Sequence, residues 1–97
     1  MREPTIARNY AEALLELAQK AGDLRGWGDT IDKIAEGMES DRRLRVFLES
    51  PRVSAQKKNA IFQKAYGTQL PRNFVRFLQA LVNNRRQMLI PAIAHEY

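Results

Sequence analysis

His95 is the only histidine in the chain, and there is no cysteine. A zinc site draws three or four ligands from those residue types, so His95 cannot assemble one and reads as a surface residue. The densest acidic group is Glu36, Glu39 and Asp41. Carboxylates that do general acid–base work need burial to tune their proton affinity. These three sit at a helix end beside Arg42 and Arg43, where capping and solvation are the expected roles. Glu12, Glu16 and Lys20 are spaced by four, which is an ordinary ladder of charges along one helix face. The five glycines never fall into the spacing of a phosphate or dinucleotide loop, so no nucleotide site is expected. No convergent set of reactive groups remains. The expectation is a non-catalytic chain with no catalytic residue, no metal and no cofactor.

Without reactive groups, the residues of interest are those suited to contact. Trp27 falls in a regular apolar stripe and is expected in the core. Tyr10 suits either a core rim or an interface, because a phenol carries an apolar body and a polar tip.

The 97 residues are enough for one small domain, and a hydrophobic share of 44% is that of a globular protein. Lack of cysteine excludes disulfides and is compatible with a reducing compartment. No apolar run approaches the roughly 20 residues that span a bilayer. The opening Met1–Arg2–Glu3–Pro4 has no signal-peptide core, so a soluble, unexported chain without direct membrane insertion is expected. A net charge of +5 and a pI near 10.0 raise a basic helical nucleic-acid-binding module as the competing function. The basic residues are dispersed, however: Arg42, Arg43 and Arg45, then Lys57 and Lys58, then Arg85 and Arg86. No helix concentrates Arg, Asn and Gln as a base-reading element does, so a solvated basic surface and no nucleic-acid partner are expected.

Strand alternation is nowhere sustained, and the pattern is helical throughout. A first helix is predicted from about Pro4 to Ala21, ended by Gly22 in the left-handed position. It carries two apolar stripes, one of Ile6, Tyr10, Ala13, Leu14 and Leu17, the other of Ala7, Ala11, Leu15 and Ala18. One stripe suffices for a core, and the second implies another surface to be served. Asp23 is predicted to cap a second helix whose apolar positions are Leu24, Trp27, Ile31, Ile34 and Met38. Gly26, Gly28 and Gly37 within it each cost about 1 kcal/mol relative to alanine, so packing must hold it. Asp41 is predicted to cap a third helix carrying Leu44, Phe47 and Leu48, ended by Ser50–Pro51. Ser54 is predicted to cap a fourth with Ile61, Phe62 and Ala65, closed at Gly67. Pro71 opens a fifth, with Phe74, Val75, Leu78, Leu81 and Val82 on a broad face and Phe77 and Ala80 at its side. A sixth follows Asn84–Arg85–Arg86, with Leu89, Ile90, Ile93 and Tyr97 in register and Pro91 in its first turn. Because that register is unbroken at Tyr97, the chain is expected to stop short of the protein's natural end. The predicted fold is all-α, a compact six-helix bundle in a single domain over residues 1–97.

The segment Ile6-Ala7-Arg8-Asn9-Tyr10-Ala11-Glu12-Ala13-Leu14 resembles the opening of bacterial ATP synthase delta subunits. It is also similar to their mitochondrial counterpart, the oligomycin-sensitivity-conferring protein. Phe47-Leu48-Glu49-Ser50-Pro51-Arg52-Val53-Ser54 looks like the same family, as does Leu81-Val82-Asn83-Asn84-Arg85-Arg86 followed by Pro91. Together the three segments cover nearly the whole chain in the right order. Many family members have proline where Asn9 stands and glycine where Arg85 stands.

The resemblance implies a non-catalytic piece of the peripheral stalk, or stator, of a proton-translocating ATP synthase. It implies a six-helix domain followed by a second, stalk-binding domain that joins b-type subunits and is missing from this chain. It places the domain on the catalytic head, at the cytoplasmic face of the bacterial inner membrane. There it receives the amino-terminal helix of one alpha subunit in a groove between the first and fifth helices. Those are the two helices with surplus apolar surface. On that reading Ala13 and Ala80 form the groove floor, Tyr10, Leu14, Leu17 and Phe77 its walls, and Asn84 a polar contact at its end. The competing reading is that all seven are ordinary core residues.

Overall fold

The computed structural model describes residues 3–66 and 70–97. Six helices follow one another: α1 (Glu3–Ala21), α2 (Leu24–Ser40), α3 (Arg42–Glu49), α4 (Ala55–Tyr66), α5 (Arg72–Asn83) and α6 (Ile90–Glu96). A single 3-10 turn, Gln87–Leu89, precedes α6, and no strand occurs among the described residues. The predicted all-α bundle is therefore the observed one.

Local chemistry explains the boundaries. Asp23 Oδ1 accepts the Gly26 N–H at 3.0 Å, Asp41 Oδ1 accepts the Arg43 N–H at 3.0 Å, and Ser54 Oγ accepts the Lys57 N–H at 3.2 Å. Each satisfies a donor that the first helical turn leaves unpaired. At the other end, Arg45 Nη1 donates to the carbonyls of Met38 and Glu39, so a cation covers the negative end of α2. Gly22 takes a left-handed φ of 71°, with its N–H bonded to Gln19 O and the Asp23 N–H bonded to Ala18 O. Pro71 stands just before α5, and Pro91 lies in the first turn of α6, as predicted. The predicted end of α4 at Gly67 lies outside the described residues.

The core gathers Leu14, Ile31, Ile34, Met38, Leu48, Phe74, Leu78, Leu81, Ile90 and Ile93, all fully buried. The short α6 is central. It packs on α2 and α1, and α4 lies against α5. Two tethers fix the end of α6: Tyr97 Oη donates to Leu24 O at 2.6 Å, and Arg8 Nε pairs with Glu96 Oε1 at 3.6 Å. The Tyr97 ring lies directly over Gly28, where a Cβ would come within 2.8 Å of its Cε2. That close approach explains why α2 tolerates a glycine there. Gly26 has a similar reason, since a Cβ would collide with the Asp23 cap. Burial, and secondarily the charge of Asp23, raises the Tyr97 phenol above its ordinary pKa of 10.0.

Several side chains are placed differently from expectation. Leu14 joins Ala7, Ala11 and Ala18 in the buried stripe of α1, leaving Ile6, Tyr10, Ala13 and Leu17 as the outer one. Helical geometry explains the exchange, since 7, 11, 14 and 18 follow the 4-3-4 spacing of a single face. Leu24 is exposed at the start of α2, and Ala65 is exposed on α4. Leu89 belongs to the 3-10 turn rather than to the sixth helix. Glu12, Glu16 and Lys20 are exposed and form no ion pair with one another. Lys58, expected on the basic surface, is buried on the face of α4 that also carries Phe62.

Candidate partner-binding seam between α1 and α5

The outer stripe of α1 meets the side of α5 through an aromatic edge and one hydrogen bond. The Tyr10 and Phe77 ring centroids are 6.2 Å apart at 81°, an edge-to-face arrangement in which a positive ring edge meets a negative face. Asn84 Nδ2 donates to Tyr10 Oη at 3.2 Å. Three of the seven predicted site residues thus come together across 74 positions of chain.

The others divide by exposure. Ala13 and Leu17 follow Tyr10 at helical spacing on the outer stripe, Ala13 exposed and Leu17 half-buried. Ala80 lies between Phe77 and Asn84 on α5 and is also exposed. Small exposed residues beside a half-buried phenol leave room for another backbone to approach. Leu14 is the exception: with no exposed surface it supports the seam from beneath, and its expected role as a groove wall is corrected. Phe77 is 7% exposed, so it offers little surface of its own.

Behind the seam, the rings continue inward. Phe77 lies 6.5 Å from Phe74, and Phe74 lies 5.0 Å from the buried Trp27. A change at the Tyr10 edge is therefore two rings away from the one tryptophan.

His95 is exposed, and no group of three or more His, Asp or Glu able to hold a metal occurs among the described residues. Glu36, Glu39 and Asp41 are exposed, with Asp41 acting as a helix cap. No described helix is long and apolar enough to cross a membrane.

The family model described as "ATP synthase delta (OSCP) subunit" matches residues 6–97, nearly the whole chain. The chain belongs to the ATP synthase delta (OSCP) subunit family. It is 56% identical over 93 residues to the ATP synthase subunit delta of Gemmatimonas aurantiaca, covering 96% of this chain and 50% of that protein. Against the subunits of the same name in Nitrosospira multiformis and Leptothrix cholodnii, identity is 32% and 36%, again over 96% of this chain. The chain spans about half the length of these relatives, 52% and 51% of the latter two.

One local feature of this delta-type chain departs from ordinary residue preference. Arg85, a non-glycine residue, has a left-handed φ of 59°. The Arg86 N–H bonds to Leu81 O at 2.7 Å and the Arg85 N–H to Val82 O at 3.0 Å. This is the same helix-ending motif that Gly22 makes after α1, here built with an arginine.

Two polar residues of the delta-type fold escaped the sequence reading. Lys58 and Gln87 are buried at 7% and 6% exposure and line one cleft beside the end of α5. For Lys58 the signal was its place four residues before Phe62 on the apolar face of α4. Gln87 carried no such signal, because its turn is shaped by contact with α3.

Proposed function

We propose that this domain is a non-catalytic stator element of a proton-translocating ATP synthase. It grips the catalytic head by receiving the amino-terminal helix of an alpha subunit along the α1–α5 seam. The carrying observation is the Tyr10–Phe77–Asn84 cluster, flanked by the exposed Ala13 and Ala80. An incoming amphipathic helix would lay its apolar face on Tyr10, Leu17 and the small exposed part of Phe77, with the alanines admitting its backbone. Leu14 and Phe74 hold that surface rigid from below. Family membership supports the reading, as does the surplus apolar stripe on α1.

A stator must resist torque while the rotor turns. The physical requirement is slow dissociation rather than bond chemistry, and buried apolar area supplies it at about 25 cal/mol per Å² before association costs. The exposed arginines add faster encounter with an acidic neighbour. In this reading the remainder of a full-length delta subunit joins b-type stalk subunits, and the assembly lies at the cytoplasmic face of the bacterial inner membrane.

Calorimetric titration with a synthetic alpha-subunit amino-terminal peptide tests the reading, with Trp27 emission followed in parallel. Saturable one-to-one binding that persists in moderate salt is expected, accompanied by an emission change relayed through Phe77 and Phe74. No saturation, or binding that vanishes as salt rises, overturns it.

A further inference from the structure

Val46 is 53% exposed, one of two large hydrophobic side chains so placed among the described residues. A hollow of about 690 Å³ opens beside it, lined by Arg42, Arg43, Val46, Phe47, Ser50 and Val53. Phe47 and Val53 are half-buried and give the hollow an apolar floor. Helical spacing accounts for the grouping, since 43, 46, 47 and 50 recur at three and four residues along one side of α3. Leu48 makes the fully buried contact of α3 with the core, so the Val46 side is surplus to folding. An apolar hollow rimmed by charge marks an interaction surface.

The charge on that rim is positive and unopposed. Arg42 and Arg43 are exposed and make no ion pair among the described residues. No acidic residue is among the described lining. Asp41 has its Oδ1 on the N–H groups of Arg43 and Leu44 as the cap of α3, and Glu49 lines a different cleft. Arg45 turns the other way, to the carbonyls that end α2.

This combination selects the occupant. A free anion would leave the apolar floor wet, and a purely apolar segment would leave both guanidinium groups unpaired. Guanidinium forks pair best with carboxylates. A second copy meeting this face symmetrically would bring arginines against arginines. A bilayer is engaged by apolar groups that project, whereas Phe47 and Val53 are recessed.

We propose that this hollow docks an acidic segment of a partner polypeptide. An aliphatic or aromatic side chain of that segment sits on Phe47 and Val53 beside Val46, and neighbouring carboxylates pair with Arg42 and Arg43. Attachment here is charge-assisted and weakens as salt rises, unlike apolar burial along the α1–α5 seam, and it stands independently of that seam.

The test is an NMR titration of the chain at about 0.15 M salt. The probe is the capped peptide acetyl-Glu-Leu-Phe-Glu-Glu-Leu-amide. Saturable shifts at Val46, Phe47 and Val53 are expected. The same peptide with glutamine at every acidic position should bind about tenfold more weakly, the combined worth of two exposed ion pairs. Arg42→Gln combined with Arg43→Gln should weaken the acidic peptide by a similar factor. Serine in place of its leucines and phenylalanine should remove the shifts. Absence of saturable shifts at Val46, wherever else the peptide binds, overturns the site. Equal response to the glutamine peptide overturns the acidic assignment. Equimolar phosphatidylglycerol–phosphatidylcholine vesicles should not broaden the Val46 signals selectively, and broadening centred there overturns the assignment in favour of a lipid surface. Val46 shifts that follow the concentration of the chain alone overturn it in favour of a second copy. The peptide comparison uses the unaltered chain, so it stands even where the arginine variant fails to fold.

Discussion

Asn84 Nδ2 donates to Tyr10 Oη at 3.2 Å, joining the outer stripe of α1 to the last turn of α5. Asn84 caps α5, with its own N–H on Ala80 O, so the side chain that reaches Tyr10 springs from a fixed backbone. The bond holds the phenol at the rim of the seam, where its ring stands nearly perpendicular to that of Phe77.

Because the Tyr10–Asn84 bond is solvent-exposed, its net contribution to folding should be small. A double-mutant cycle of Tyr10→Phe and Asn84→Ala, read by urea unfolding, should give a coupling of about 0.5–1 kcal/mol. A coupling of several kcal/mol would make the pair a structural keystone and remove the case for an available rim.

Neighbouring residues on α1 should separate stability from binding. Leu14→Ala empties a fully buried site and should cost about 2–5 kcal/mol of unfolding free energy. Ala13→Asp and Ala80→Asp are at exposed positions and should cost less than about 1 kcal/mol, mostly through helix propensity. The same two variants should weaken the alpha-peptide by about tenfold or more, since each places a charge against an apolar face. Retained affinity in both would move the contact away from this seam.

Arg85→Gly should stabilise the chain. A left-handed arginine costs about 1–2 kcal/mol, and glycine relieves this at an entropic cost of about 0.5–1 kcal/mol. The expected net gain is about 0.5–1 kcal/mol, seen as a raised urea midpoint at unchanged slope. Arg85→Val should shift the midpoint the other way, because a β-branched residue fits this region worst.

Tyr97 should impose an alkaline limit on stability. Its folded-state pKa lies above 10.0, so the native state holds the phenol proton more tightly than the unfolded chain does. The stabilisation is complete below pH 10 and is lost as pH rises through the raised folded value. Tyr97→Phe loses the bond to Leu24 O at all pH values but should show a shallower decline above pH 10 than the unaltered chain. Parallel declines would assign the alkaline transition to other groups. Gly28→Ala, placing a methyl group against the same ring, should destabilise despite the better helix propensity of alanine.

The sequence by itself determined where the helices begin and end. Asp23, Asp41 and Ser54 cap donors two or three residues away, and Gly22, Pro71 and Pro91 act through their own backbone dihedrals. Such effects close within one helical turn, so local residue types settle them. Composition and spacing also marked α1 as carrying more apolar surface than one core contact uses. Only the tertiary structure decided which stripe of α1 turned inward, moving Leu14 to the core and leaving Ala13 outside. It alone joined Tyr10 to Asn84, and it alone buried Lys58 and Gln87 in a common cleft. Those outcomes depend on how each helix is rotated about its axis against neighbours distant in the chain. A rotation of one residue's angular step changes the buried set without altering any local cap or propensity, so packing between elements has to choose it.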